Sequence, residues 1–394
     1  MVNPALKALA ANAGRGAGWL SRRLGQGGGT ALPGVVAQLI YPRLLSGLAA
    51  AIPRGCVLVT GTNGKTTTTR ILADALRRGG LFPITNREGS NLLRGLAATL
   101  LHHTDGWGNL RVPTNAIGVF EVDEGALLPA VAAMQPRLLV ITNLFRDQLD
   151  RYFEVDYVAR LWARALRRLP ASATVVLNAD DPQVAYLGQG LQNPVLYYGL
   201  EESRYARPAL EHAADSRRCP HCRVDLAYTS SFYAHLGHYR CPECEWQRPA
   251  AAVVARKMEL LGIAGSRLDL EGPDGLQNVR LPLPGVYNVY NALAAATAAH
   301  GLGINGQEVA AAVSQVSAAF GRLEKFKAGD KEVCLILVKN PSGFNEVLRL
   351  LLSDAHRKCF ILALNDNIAD GRDVSWIWDV DLEGCCEGVE FVIA

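Results

Sequence analysis

The chain has 394 residues, 49% of them hydrophobic and 20% charged, enough for roughly two to three domains and too apolar for a disordered or collagen-like protein. Forty basic residues against 37 acidic leave a net charge of +3, too even a balance for a chain whose main partner is a polyanion. No apolar run approaches the ~18 residues of a membrane span, and nine cysteines are too few for an oxidised scaffold, so composition points to a soluble cytoplasmic protein.

The first 55 residues carry Lys7, Arg15, Arg22, Arg23, Arg43 and Arg54 and no carboxylate; the first is Asp74. Gly27, Gly28 and Gly29 split this leader, residues 1–54, into two apolar-basic halves that can each form a short helix. It reads either as a helical preface packed on the next domain or as a surface that rests on anionic headgroups. A transit peptide shares the charge bias, but no cleavage pattern stands out.

From Cys56 the rhythm becomes strand, turn, helix. Cys56–Thr60 is short, apolar and β-branched, as a buried parallel strand requires, and Thr67–Arg78 follows as a helix. Ala116–Val122, Leu138–Thr142 and Thr174–Asn178 are further buried-strand candidates with helical stretches between them, which predicts a mostly parallel α/β sheet. The pattern breaks near Arg217 into a stretch rich in cysteine and aromatics, to about Arg248, and resumes up to Pro284. A long Ala-rich helix is expected over Asn288–His300. A second α/β unit begins near Gly321, with strands at Val333–Val338 and Cys359–Leu364. The expected units are thus the leader, an α/β domain over 55–319 with an insertion at 215–250, and a smaller Rossmann-like α/β domain over 320–394.

Gly61-Thr62-Asn63-Gly64-Lys65-Thr66-Thr67 follows a strand and opens a helix, the placement of a nucleotide phosphate loop. The glycines let successive N–H groups point inward, and the helix start adds partial positive charge. Lys65 can then neutralise phosphate, and the Thr66 hydroxyl can ligate Mg²⁺. Glu121, Asp123 and Glu124 end an apolar run; three carboxylates there need solvent or a cation to accommodate them.

Cys219-Pro220-His221-Cys222 and Cys241-Pro242-Glu243-Cys244 are separated by eighteen residues, within the spacing of a four-cysteine zinc ribbon in which each pair supplies two thiolates to one tetrahedral ion. Sulfur at all four positions leaves no open coordination site, so the zinc is expected to be structural. His221, His235 and His238 read as packing or hydrogen-bonding residues, and Cys56, Cys334, Cys359, Cys385 and Cys386 as core. Near the C-terminus, Asn365–Asp379 holds Asp366, Asp370, Asp373 and Asp379 together with Trp376 and Trp378. By itself it reads as a connection whose aspartates cap a helix and whose tryptophans pack.

Val59–Thr68 resembles the ATP loop of the Mur ligases and folylpolyglutamate synthases, as do Glu121–Gly125, Thr142–Asp150 and Gly285–Ala292 the corresponding stretches. That resemblance implies a Mg²⁺ on Glu121 and Thr66, ATP phosphates on Gly61–Thr67, and adenine bordered by Asn288 and Asn291. Ordinary Mur ligases lack the ribbon. With it, nearly the whole chain is similar to the MurT branch, ligase subunits of lipid II isoglutaminyl synthase that work with a GatD glutaminase. This implies ATP-dependent amidation of the D-glutamate α-carboxyl of the lipid II stem peptide, with Mg²⁺ and Zn²⁺, in a heterodimer and without nucleic acid. It also leaves room for a peripheral contact with the inner face of the plasma membrane. Asp373, in Gly-Arg-Asp, is implied to complete a catalytic triad in trans with the partner's Cys and His, and Lys339–Asn345 resembles the loop that begins the family's C-terminal domain. The alternative is an amino-acid-adding ligase of the Mur or folylpolyglutamate type.

Three departures accompany the resemblance. No lysine lies between Asp150 and Pro170, where many Mur ligases carry a carbamylated one. Only about 55 residues precede the phosphate loop, which fits a lipid-linked substrate better than a UDP-linked one. The chain stops at Glu390–Ala394, which looks like a strand, so an incomplete C-terminal domain is expected.

Overall fold

Cys56–Thr60 (β1) is buried at every position, as an apolar strand with helices on both faces must be. It lies between Ala116–Glu121 (β3) and Leu138–Ile141 (β4), parallel to both. The computed structural model describes residues 4–23, 31–86, 89–146, 155–207, 210, 214–317, 323–352, 358–365, 374–382 and 389–393. A nine-stranded sheet runs, from one edge, Gly275–Leu281 (β11), Ser266–Gly272 (β10), Val253–Leu260 (β9), Val195–Leu200 (β6), Thr174–Asn178 (β5), β4, β1, β3 and Phe82–Thr85 (β2). All pairings from β9 to β2 are parallel; β10 and β11 add an antiparallel edge.

Alternation along the strands splits the core in two. Val57, Val59, Val119 and Val140 face Lys65–Arg78 (α4), Val286–Gly301 (α9) and Gly306–Gln315 (α10). Cys56, Leu58, Phe120 and Leu139 face the other way, toward Leu93–Leu101 (α5), Leu127–Met134 (α6) and Val155–Leu166 (α7). The leader joins this second cluster as three helices rather than two, Pro4–Arg23 (α1), Leu32–Ile40 (α2) and Leu44–Ala50 (α3). Ala10, Ala11, Ala37, Leu44, Leu45 and Leu48 are buried within it. Small residues allow the close approach: a β-carbon on Gly34 would overlap the Arg94 carbonyl.

Because β1 sits between β3 and β4, the chain must leave β1, form β2 and β3 on one side, and cross over to β4 on the other. The crevice at the C-terminal end of β1 is therefore a topological switch point, where ligands of open α/β sheets bind. The cysteine insertion is an antiparallel hairpin, Ala227–Tyr233 (β7) with Leu236–Arg240 (β8). Beyond it lies a small α/β unit: hairpin Leu323–Ala328 (β12) and Lys331–Ile336 (β13), helix Pro341–Leu352 (α11), and Lys358–Ile361 (β14) parallel to Val389–Ile393 (β15). Two expectations for this unit are corrected. Cys359, expected in the core, is exposed, because β14 belongs to a two-stranded sheet with an open face. Of the two tryptophans, Trp376 meets Phe344 edge-on at 6.4 Å, whereas Trp378 is 87% exposed.

Candidate nucleotide site and cysteine centre

Between β1 and α4 the loop turns on two glycines with positive φ, Gly61 (135°) and Gly64 (85°). Space as well as conformation selects glycine: a β-carbon on Gly61 would overlap the Thr142 hydroxyl, and one on Gly64 the Asn291 carboxamide. The loop is pinned from the end of β4. Thr62 N–H donates to the Asn143 carbonyl at 3.0 Å, and Asn63 N–H to Asn143 Oδ1 at 2.8 Å.

Lys65 is buried at the start of α4, its Nζ donating to the carbonyls of Gly61 at 2.5 Å and Thr62 at 3.1 Å and pairing with Glu124 at 3.1 Å. Next to it the Thr66 hydroxyl donates to Glu121 Oε2 at 2.7 Å. A buried ammonium, a hydroxyl and two carboxylates thus converge at the mouth of a glycine loop. Asn63 Nδ2 is buried with no hydrogen-bond partner among the described residues, so a donor in this loop awaits an acceptor. These residues fit a nucleotide triphosphate with a divalent cation: loop amides and Lys65 for phosphate oxygens, Thr66 and Glu121 for a hard ion.

Asn288 and Asn291, one turn apart on α9, meet through a 3.1 Å hydrogen bond. They line the same cavity as Asn63, Gly64 and Thr67. Of four further participants, three lie in stretches the sequence already singles out, although their partners could not be read there. Asn143 does carry a signal, being a polar residue just past a buried strand, and Glu124 stands within the acidic turn without announcing its pairing to Lys65. Asn340, whose Nδ2 donates to Asn63 Oδ1 at 3.2 Å, lies in the Lys339–Asn345 stretch, whereas Tyr233, which lines the cavity, arrives from the cysteine insertion and gives no local signal.

The four cysteines do converge. Their sulfurs lie within 4.8 Å of one another, with Cys219 and Cys244 3.6 Å apart and Cys222 and Cys241 3.3 Å apart. Tetrahedral zinc with sulfur ligands at ~2.3 Å needs an S···S spacing of about 3.8 Å, so the set fits. Each knuckle is closed alike: Cys219 N–H donates to the Val224 carbonyl at 2.7 Å and Cys241 N–H to the Trp246 carbonyl at 2.8 Å. His221 lies outside the set, its Nδ1 3.2 Å from the Tyr186 hydroxyl, and His238 Nε2 reaches the Leu200 carbonyl at 2.7 Å. Cys56 is a core thiol, its pKa pushed up to about 12 by burial.

A buried polar group joins the insertion to the sheet. Arg248 Nε meets Asp180 at 2.6 Å and its Nη1 meets Glu201 at 2.8 Å. Burial works against the guanidinium charge, but these carboxylates hold it on. Tyr290 donates to Asp180 at 2.7 Å, and burial and that carboxylate both keep its hydroxyl protonated. Asp373, Asp366 and Asp370 lie outside the described residues, as do Asp147–Asp150, Cys385 and Cys386.

Residues 59–230 match the family Mur ligase middle domain, and residues 337–393 match MurT ligase C-terminal. Subunit MurT of the lipid II isoglutaminyl synthase (glutamine-hydrolyzing) of Streptococcus pneumoniae R6 is 36% identical over 94% of this chain and 79% of its own length. The chain belongs to the MurT family. The MurT subunit of Staphylococcus aureus COL is 33% identical, over 92% of this chain and 78% of its own. Among solved structures, a pseudomurein peptide ligase type C from Methanothermus fervidus aligns with TM-score 0.65 and 25% identity, covering 86% of this chain and 67% of that one. MurF from Acinetobacter baumannii aligns at TM-score 0.65 and 18% identity, over 91% and 71%, which establishes the Mur-ligase α/β fold. A MurT chain is a ligase of peptidoglycan synthesis, and Mur ligases use ATP with Mg²⁺. No helix among the described residues is long and apolar enough to cross a membrane.

Proposed function

We propose that this chain is the synthetase subunit of a lipid II isoglutaminyl synthase. The α-carboxylate of the D-glutamate in the stem peptide attacks the γ-phosphorus of ATP; ADP leaves, and ammonia then displaces phosphate to give D-isoglutamine. A carboxylate is a poor electrophile, and phosphorylation converts its oxygen into a leaving group. The observation that carries the reading is Lys65 and the Thr66–Glu121 pair at the mouth of the glycine loop, in a chain of this family. Bound Mg²⁺ on Thr66 and Glu121 would supply charge neutralisation for phosphoryl transfer. Lys65 would leave its loop carbonyls and bond the transferring oxygens, while Gly61–Thr67 amides and Asn63 orient the triphosphate and Asn288 and Asn291 border the base.

Ammonia is proposed to come from a GatD-type glutaminase in a heterodimer. Asp373 of this chain would orient the partner's histidine and stabilise its imidazolium. Zinc is proposed for Cys219, Cys222, Cys241 and Cys244, in a ribbon inserted at 215–250 of an ATP-binding domain spanning 55–319. The leader would be residues 1–54 and the C-terminal domain 320–394. The leader's outer faces, with Leu9, Trp19, Leu20 and Leu39 exposed and no carboxylate before Asp74, support a peripheral contact with the anionic inner face of the membrane.

The test is assay of the full chain with ATP, lipid II and glutamine, with and without the glutaminase. The expected product is one acid-to-amide conversion that needs the second subunit when glutamine is the donor. Addition of a whole amino-acid residue would instead identify an amino-acid-adding ligase, and amidation from glutamine by this chain alone would refute the division of labour.

A further inference from the structure

The turn of the cysteine insertion, Tyr233-Ala234-His235-Leu236 between β7 and β8, is buried at all four residues, although connecting turns ordinarily run over the surface. Ala234 adopts φ 48°, and its carbonyl accepts the Ser231 hydroxyl at 2.8 Å. The hairpin is fastened to the sheet just beyond the turn: Gly237 N–H donates to the Asp180 carbonyl at 2.9 Å and Tyr239 OH to the Ala179 carbonyl at 3.0 Å. Tyr233 and Leu236 then form part of the wall of the cavity that also holds Asn63 and Asn143.

Behind that wall, Phe145 is the meeting point. Its ring centroid lies 5.0 Å from Tyr233 and 4.7 Å from His235, within the range of favourable aromatic pairs. Its backbone is tied to the phosphate loop twice, for Phe145 N–H donates to Thr62 Oγ1 at 3.0 Å and the Thr62 hydroxyl donates to the Phe145 carbonyl at 3.2 Å. His235 is fully buried, and neither ring nitrogen makes a hydrogen bond among the described residues; Nε2 stands 3.4 Å from Asp181 Oδ2. That carboxylate accepts Leu144 N–H at 2.8 Å through the same oxygen. An imidazole so poorly satisfied costs free energy at this spot, and leucine or phenylalanine would fill it more cheaply if packing alone were required.

We propose that His235 is a positioning residue for the phosphate loop: wedged between Asp181 and Phe145, it presses Phe145 toward Thr62 and so fixes the first turn of Gly61–Thr67. The insertion thereby acts on nucleotide binding through its turn. This rests on the reading of the cavity as the nucleotide site, but the coupling of turn to loop stands on contacts that exist without nucleotide. Two measurements on the full chain separate the two claims. One is amide hydrogen exchange of residues 61–67 without ligand, and the other is the affinity for a non-hydrolysable ATP analogue, both well below the unfolding midpoint. His235→Ala is expected to speed exchange in the loop and weaken the analogue about tenfold, within the usual range of coupling between sites. Phe145→Leu, which keeps most of the bulk, is expected to do the same. Wild-type exchange and affinity in Phe145→Leu, or in a folded His235→Ala, would overturn the proposal, as would a uniform loss of stability with no local change at residues 61–67. Failure of the unaltered chain to bind the analogue would sink the nucleotide reading instead, and the exchange data alone would then decide this one.

Discussion

Gly64 and Asn291, far apart along the chain, occupy one volume: the asparagine carboxamide stands where a β-carbon on the glycine would be. Asn291 is in turn held by Asn288 on α9. Gly64→Ala therefore asks for a positive φ in a residue with a side chain and displaces the Asn291 carboxamide at once. The expected outcome is a folded protein that has lost at least about 100-fold in nucleotide affinity, a ~3 kcal/mol effect; calorimetric titration with the ATP analogue measures it. Unchanged affinity would remove the loop from the site.

Glu121→Gln keeps the side-chain shape but replaces the carboxylate that receives the Thr66 hydroxyl. Loss of one anionic ligand is expected to raise the Mg²⁺ concentration needed for half-maximal ATP turnover by about tenfold or more, while nucleotide binding without Mg²⁺ changes little. Magnesium titrations of both proteins distinguish this from a simple folding defect.

Asp180 and Arg248 are a buried pair with side chains 0% and 11% exposed. Arg248→Ala strands the carboxylate and should cost about 3 kcal/mol or more of stability, seen as a lower unfolding midpoint. Replacing both Asp180 and Arg248 by residues that pack is expected to recover part of that loss, because neither charge is then left uncompensated. A double-mutant cycle with no coupling energy would contradict the pairing.

Cys241→Ser removes one thiolate from a set whose sulfurs lie within 4.8 Å. The purified wild-type chain is expected to carry one zinc and the variant substantially less, by metal analysis. Protease susceptibility should rise first between residues 215 and 250, since that insertion has only a small apolar cluster of its own, with Cys219, Tyr239 and Trp246, and the proposed ion would hold the rest.

The leader makes a separate prediction. Trp19 and Leu20 lie near the end of α1 beside Arg22 and Arg23, with the Arg23 guanidinium 4.4 Å above the Trp19 ring. The full chain is expected to sediment with phosphatidylglycerol vesicles and not with phosphatidylcholine ones, and to be released as salt rises. Trp19→Ser with Leu20→Ser should abolish most of that binding. Equal partition into neutral vesicles, or none into anionic ones, would return the leader to a purely packing role.

The glycine loop, the flanking strand and helix, and the two cysteine knuckles are all legible in the sequence because each is made by neighbours along the chain. A strand, two turn glycines, a lysine and a threonine need no distant partner to announce a phosphate site. The thiol spacing announces a metal for the same reason. The helix begins at Lys65 rather than Thr67, a boundary shift of two residues, and the leader's third helix escapes notice because Leu44–Ala50 is too short to show a period.

Composition and local pattern by themselves determined a mostly parallel α/β protein with a glycine loop that opens a helix and a four-sulfur cluster. The fold alone decided which far-off groups complete them: Asn143 beneath the loop, Glu124 on Lys65, Asn291 against Gly64, and Asp180 on Arg248. Such pairings depend on strand order, on β1 lying between β3 and β4, and on the insertion folding back so that Tyr233 and His235 reach Phe145. A one-dimensional pattern records which face of an element is apolar, but not which element will lie across from it.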